Sequence, residues 1–313
     1  MTRIIRPKNR SEWLQHRTQG IGSSEVATVV GLNPYETPYQ LWRRKVGIDA
    51  PIDDNQYMIA GRLLEDAVSR FFEEETNKKI IASSKGDWLI QSKTKPYLQV
   101  SPDRLYWLGD KRNNANKGIL ECKTTQKQID KDNLPRHWFC QLQYQLGVSG
   151  LQQGAIAWLT QGKDFGYSEL NFVPDFYEWL VEEVDRFWID NILGKKEPDL
   201  VSVDDVVTMF PNHVEGKIIN VEEEMFDKVI KLKEIKNSIS ELETQKKSLE
   251  ADIKFAFADN ETMSYQDITI ATLKSSKSTE TFDSKTFIKE NPDLAKKYMK
   301  TSIGARRLLL KIK

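Results

Sequence analysis

The stretch SPDRLYWLGDKRNNANKGILECKTT, residues 101–125, decides how this chain is read. Runs of β-type residues at 98–107 and 118–125 flank a loop rich in Gly, Asn and Lys, which is the pattern of a hairpin with a long connection. Side chains alternate between the faces of a strand. Glu121 and Lys123 therefore share one face, Leu120 and Cys122 point to the other, and the hairpin partner brings Asp103 alongside. Two carboxylates and an ammonium on one surface suit hard-metal chemistry, in which oxygens hold Mg²⁺ or Mn²⁺ and the amine stabilises charge or positions a water. The same residues also read as a solvated strand edge, so the remainder of the chain has to decide.

The 313 residues give room for one domain of about 200 residues and an appendage. Hydrophobic residues at 39% and charged residues at 29% describe a globular chain, and the formal net charge of zero means that any nucleic-acid contact must use local basic patches. No apolar run approaches the roughly 18 residues of a membrane span. The start, MTRIIRPKNRSEW, is basic without an apolar core, so no secretory signal is expected. Cys122, Cys140 and three scattered histidines cannot close a standard zinc site without carboxylates, and reduced thiols in a cytoplasmic protein are the simplest expectation.

Upstream of the hairpin, Gly20 and Gly22 mark a flexible turn, and Ser23 or Ser24 can cap a helix ending at Gly31; Thr37 and Pro38 open another, closed by Gly47. A Gly-rich turn with hydroxyls before a helix can seat a phosphate, and Arg17 could add a bidentate contact; from spacing alone an ordinary cap beside a surface arginine is the commoner arrangement. Residues 57–76 read as an amphipathic helix with Gly61, Leu64, Val68, Phe71 and Phe72 in its apolar stripe, and Glu65 falls on that stripe. A carboxylate taken from water needs a partner or a metal. Pro135 begins a helix through Gly147 with Phe139, Leu142 and Leu146 as its seam and Trp138, Gln141 and Gln145 on a neighbouring face. Strands at 154–160 and 165–173 and a helix opened by Pro174 complete a mixed α/β pattern.

Residues 196–219 read as a linker between a domain at 1–195 and an extension at 220–313. Within the extension, Ile235, Ile239, Leu242, Leu249, Ile253 and Ala256 recur in a heptad-like seam interrupted by Lys246, suited to packing on the same chain or to pairing in an oligomer. A strand at 268–273, a short helix at 284–290 and a strand-like basic tail at 306–313 follow. Residues 274–313 hold eleven Lys or Arg against four Asp or Glu, an excess of seven positive charges that could touch DNA phosphates or simply be solvated.

Several signals stand in one order: Trp13, Arg17, GIGSSEV, NPYETPYQLW, GRLLED, SPD, ECK and QLQY. Together, over about residues 11–190, they resemble the YqaJ-type phage recombinase nucleases, the lambda exonuclease-like group of the PD-(D/E)XK superfamily. The resemblance implies a restriction-endonuclease-like mixed β-sheet flanked by helices, followed by a helical and small β extension that lambda exonuclease lacks. It implies Asp103, Glu121, Glu65 and the Cys122 backbone carbonyl as ligands of Mg²⁺, with Mn²⁺ able to substitute, Lys123 as the catalytic lysine, and Gln141 as the glutamine of the downstream helix. Arg17, Ser24 and Ser101 match positions suited to gripping a DNA 5′-phosphate. Trp138 departs from the tyrosine of lambda exonuclease, and Cys122 from the usual aliphatic residue.

The activity implied is 5′→3′ resection of linear duplex DNA, leaving 3′ single strands for a phage annealing protein in the cytoplasm of a bacterial host. A ring-shaped homotrimer is implied too. An endonuclease of the same superfamily and a non-catalytic DNA-end-binding scaffold are the alternatives.

Overall fold

The structure, a computed structural model, describes residues 2–52, 54–81, 89–109, 116–276, 278, 280, 282–299 and 306–312. The chain separates into two units, Met1–Met209 and Phe210–Lys313. In the first, β1 (Thr2–Ile5), α1 (Arg10–Thr18), α2 (Ser23–Val29), α3 (Pro38–Lys45) and α4 (Gln56–Thr76) precede the short strands β2 (Ile80–Ile81), β3 (Leu89–Ser92) and β4 (Gln99–Val100). The hairpin strands β5 (Arg104–Trp107) and β6 (Lys117–Thr125) lead to α5 (Arg136–Ser149), β7 (Gln153–Thr160), β8 (Asp164–Asn171), α6 (Pro174–Arg186), a π-helical segment Phe187–Leu193 and α7 (Val203–Met209). The second unit holds α8 (Glu223–Phe257), β9 (Thr262–Tyr265), β10 (Ile268–Thr272), α9 (Ser284–Glu290) and α10 (Pro292–Tyr298).

The central sheet has the order β2-β5-β6-β7-β8, parallel only between β6 and β7. This is the mixed, helix-flanked α/β sheet expected. The alternation along β6 organises the layers. Leu120 and Cys122 pack with Val68 and Phe72 of α4, whereas Ile119 packs with Trp138, Leu142 and Leu146 of α5. Glu121 and Lys123 consequently face α5. Beyond α5, Val26, Tyr39, Trp42, Cys140, Tyr144, Leu180 and Val184 form a further core that ties α2, α3 and α6 together.

Several expectations need correcting. The run 98–107 is not one strand: β4 pairs with β3 in a separate sheet, and β5 starts after Pro102, which has no N–H to offer a ladder. Gly22, not Ser23 or Ser24, caps α2. Phe71 is 42% exposed, and Ser69 takes a buried place on α4 instead. α5 is buried on more of its surface than a three-residue seam predicts, with Gln143 and Gln145 fully inside. The expected linker contains α7, whose buried Asp205 accepts a 2.6 Å hydrogen bond from the Thr37 hydroxyl. The long helix begins at Glu223, ahead of the seam. Residues 306–312 form no strand; no described strand offers them a ladder, and Arg306 donates instead to the Phe210 carbonyl at 3.0 Å. The centre of the expected hairpin loop, 110–115, lies outside the described residues.

Nor is the Gly20 turn a matter of flexibility. A Cβ on Gly20 would stand 2.5 Å from the Tyr97 carbonyl oxygen and 2.9 Å from the Gln99 amide. The residue is glycine because two backbones meet there, next to the Ile21 N–H to Tyr97 carbonyl bond of 2.7 Å. Gly20→Ala is expected to cost about 1–3 kcal/mol through overpacking, read from urea unfolding. An unchanged midpoint would show that the strand and turn can separate freely.

Candidate active site

β5 and β6 bring the acidic residues together through their register, Arg104 opposite Leu120. Asp103 sits just before β5, and its Oδ2 accepts the Cys122 N–H at 2.7 Å, so the carboxylate is pinned to the backbone between Glu121 and Lys123. On the α5 face, Lys123 Nζ donates to Glu121 Oε1 at 2.7 Å and to Gln141 Oε1 at 2.9 Å. The Gln141 amide also donates to Glu121 Oε1, and the Gln145 amide to Glu121 Oε2 at 2.8 Å. Glu121 is 2% exposed and is satisfied by this donor set. Each Gln lies one helical turn from the other, so α5 presents both amides to β6.

Glu65 approaches from α4. It is half-buried, and the Arg104 guanidinium stands 3.8 Å from its carboxylate and 3.9 Å from that of Asp66. Burial raises the Glu65 pKa against the pull of Arg104, and Glu121 pushes in the same direction. Asp103 is raised well above the usual carboxylate range, first by burial and then by the charges of Glu121 and Glu65. Burial would lower the Lys123 pKa, but the Glu121 and Asp103 carboxylates more than reverse this and raise it, so the side chain is an ammonium at neutral pH. Burial also pushes the Cys122 thiol well up, leaving it a neutral core group with no nucleophilic role.

The sequence-predicted residues Glu65, Asp103, Glu121, Lys123 and Gln141 therefore share one electrostatic neighbourhood. Among the described residues, no group of three His, Cys, Asp or Glu side chains stands ready to hold a metal ion. The Lys123 ammonium and two amides bond Glu121, and a backbone N–H bonds Asp103 Oδ2. The donor chemistry nevertheless fits a hard cation, since the candidate ligands are all oxygens and burial, reinforced by their mutual repulsion, raises Asp103 and Glu65.

A second cluster lies at α2. Arg17 Nη2 donates to Ser24 Oγ at 2.8 Å, and its guanidinium lies over the Trp13 ring at 4.8 Å. Beneath it, the buried Glu25 accepts the Gly22 N–H at 2.8 Å and pairs with Lys45 at 2.8 Å and Arg44 at 3.3 Å. Ser101, the third expected phosphate contact, is partly buried ahead of Asp103. Gln145 connects the clusters, donating to Ser23 Oγ at 3.2 Å as well as to Glu121. Spacing set Gln145 on a polar face with Gln141 but did not select it. Its signal is a glutamine one turn beyond Gln141 on a helix that is otherwise core. Glu25 lies within GIGSSEV, but nothing local singles out its carboxylate or Lys45, because their burial depends on α2 packing against α3.

Residues 12–152 match the family model of the YqaJ-like viral recombinase domain. The uncharacterized protein YqaJ of Bacillus subtilis (strain 168) is 29% identical over 265 residues, which cover 81% of this chain and 80% of that protein. Among solved structures, LHK-Exo in complex with dAMP aligns at 18% identity and a TM-score of 0.46, over 59% of this chain and 93% of that one. LHK-Exo is an alkaline exonuclease from Laribacter hongkongensis. A phage related exonuclease from Haemophilus somnus 129PT aligns at 9% identity and a TM-score of 0.40, over 56% of this chain and 96% of that one. The stretch that matches the YqaJ-like viral recombinase domain runs from Trp13 and Arg17 at one end to Gln141 and Gln145 at the other.

Proposed function

We propose that the chain is a metal-dependent DNA nuclease that resects linear duplex DNA 5′→3′ and leaves 3′ single strands for a recombination partner. The observation that carries this reading is the bonded set Glu121, Lys123 and Gln141 between β6 and α5, with Asp103, just ahead of β5, held by the Cys122 N–H beside it. Asp103, Glu121, Glu65 and the Cys122 carbonyl would hold Mg²⁺ or Mn²⁺. When bound, such a cation polarises a phosphodiester and makes water a better nucleophile at neutral pH. The chain's own groups supply the rest. The Lys123 ammonium stabilises negative charge growing on the scissile phosphate, Gln141 fixes the direction of that ammonium, and Gln145 holds Glu121 in place. Arg17, Ser24 and Ser101 bind a terminal 5′-phosphate, with Arg17 stacked on Trp13 to limit its motion.

The test follows end-labelled linear duplex, with and without a 5′-phosphate, in Mg²⁺. Shortening from the 5′ end, faster on the phosphorylated substrate, with covalently closed circular duplex left intact, is the expected result. Cutting of the circle would turn the reading to an endonuclease, and absence of any Mg²⁺-dependent product to a DNA-end-binding scaffold. Arg17→Ala is expected to reduce the preference for 5′-phosphorylated ends by about tenfold or more, the loss of a charge-assisted contact. An unchanged preference would remove the phosphate role of Arg17 while leaving the metal-centred chemistry in place.

A further inference from the structure

The second unit buries little of its own apolar surface. Among its described residues, only Phe257 and Ala295 belong to the buried core, and β9–β10 is a lone two-stranded hairpin. A hairpin of this kind is marginal by itself. The main element is α8, 35 residues and about 52 Å long. Along it Ile235, Ile239, Leu242, Leu249 and Ile253 are 48, 50, 63, 63 and 47% exposed. These residues, with Lys246, are spaced alternately by four and three, so they form the a and d positions of one continuous heptad seam. An exposed stripe of this length and regularity is what a second helix covers.

We propose that α8 pairs with α8 of a second copy of this chain as an antiparallel two-stranded coiled coil. The flanking charges identify the occupant and its direction. In this register Lys246 is an a residue, Lys231 and Gln245 are at g, and Lys236, Glu243 and Glu250 are at e. A parallel pair would stack Lys246 on Lys246 of the partner subunit inside the seam. It would also set Lys231 against Lys236 of the partner subunit, and it would leave Glu243 and Glu250 facing the uncharged Ser238 and Gln245. Every charged contact would be repulsive or unmatched.

The antiparallel pair removes these conflicts. Ile235 meets Ile253 of the partner subunit, Ile239 meets Leu249 of the partner subunit, and Lys246 lies against Leu242 of the partner subunit, so no lysine faces a lysine in the seam. The e positions then face each other. Lys236 meets Glu250 of the partner subunit, and the Lys246 stem covers leucine while its ammonium reaches Glu243 of the partner subunit. That ammonium also offsets the meeting of Glu243 with its own symmetry mate. Lys246 already leans toward Glu250 within its helix, 3.7 Å away, on the flank where the partner's charges would lie. The seam lysine thus sets direction at some expense of stability, the usual role of one polar a residue. The inference concerns the second unit alone and does not depend on the nuclease reading.

The test uses the full chain at low micromolar concentration in sedimentation velocity, with circular dichroism verifying that each variant keeps its helix. Ile239→Asp/Leu242→Asp is expected to halve the sedimenting mass. Lys236→Glu is expected to weaken association by about tenfold, and Lys236→Glu/Glu250→Lys to restore it. An unchanged mass in the seam variant would overturn the pairing, as would tighter association of Lys236→Glu, the result a parallel pair requires.

Discussion

Asp103→Asn is expected to lower Mg²⁺-dependent cleavage by on the order of 10³-fold or more, and at the same time to raise the thermal midpoint of the metal-free protein at neutral pH. The two effects share one cause. Asp103, Glu121 and Glu65 crowd like charge where water is partly excluded, and Lys123 compensates Glu121 at 2.7 Å, so Asp103 bears the surplus. Its folded pKa is raised, which means that ionising it works against the fold as pH climbs from the ordinary value of 3.8 through the raised one. Asparagine keeps an oxygen to accept the Cys122 N–H while removing the charge, so the hydrogen bond of 2.7 Å survives. Differential scanning fluorimetry with and without Mg²⁺ separates the terms. The wild type should gain stability on adding the cation by mass action, and the variant should start higher and gain little. A variant that melts lower than wild type in the absence of metal, or gains as much from Mg²⁺, would sink the assignment of Asp103 to the cation site.

Local pattern carried much of this arrangement. Period-two alternation along β6 put Glu121 and Lys123 on a common face, and helical period put Glu65 toward the sheet, because each depends only on backbone geometry. Those features are written in neighbours along the chain. What the pattern missed depends on partners distant in sequence. Gln145 and Gln143 look like solvated amides on α5 until Glu121 and the Asn171 carbonyl are brought to them by β6 and β8. The break at Pro102 was visible, yet the run 98–107 reads as one strand unless it is known that β3 claims β4. Likewise, no local signal tells that Asp205 folds back onto Thr37 across 168 residues and extends the first unit into the expected linker.

The second large effect is expected at a residue that touches no substrate in the proposed reaction. Glu25→Gln should cost about 3–5 kcal/mol of stability at pH 7, measured by urea unfolding, because it removes one partner from a buried ionic cluster. Glu25 is 6% exposed, and the neighbouring cations belong to two other helices: Arg17 in the last turn of α1, and Arg44 and Lys45 at the end of α3. Lys45 is fixed by more than this ion pair, since its Nζ also donates to the Arg17 and Gly20 carbonyls at 2.9 and 2.6 Å, and it stays buried when its counter-charge is removed. Burial alone would raise the Glu25 pKa, but Lys45, Arg17 and Arg44 pull it from 4.5 down to about 2. A depressed carboxylate contributes stability that is complete above the unfolded value and fades as pH falls through the folded one. The gap between wild type and Glu25→Gln should therefore be widest above pH 4.5 and close progressively toward pH 2. A gap that stays constant across that range would sink the charge account, since the Gly22 hydrogen bond is one that glutamine can retain. Because the same carboxylate sits beneath the Arg17 guanidinium, the variant should also loosen Arg17 from Ser24 and weaken the preference for phosphorylated ends, although Glu25 itself never reaches the phosphate.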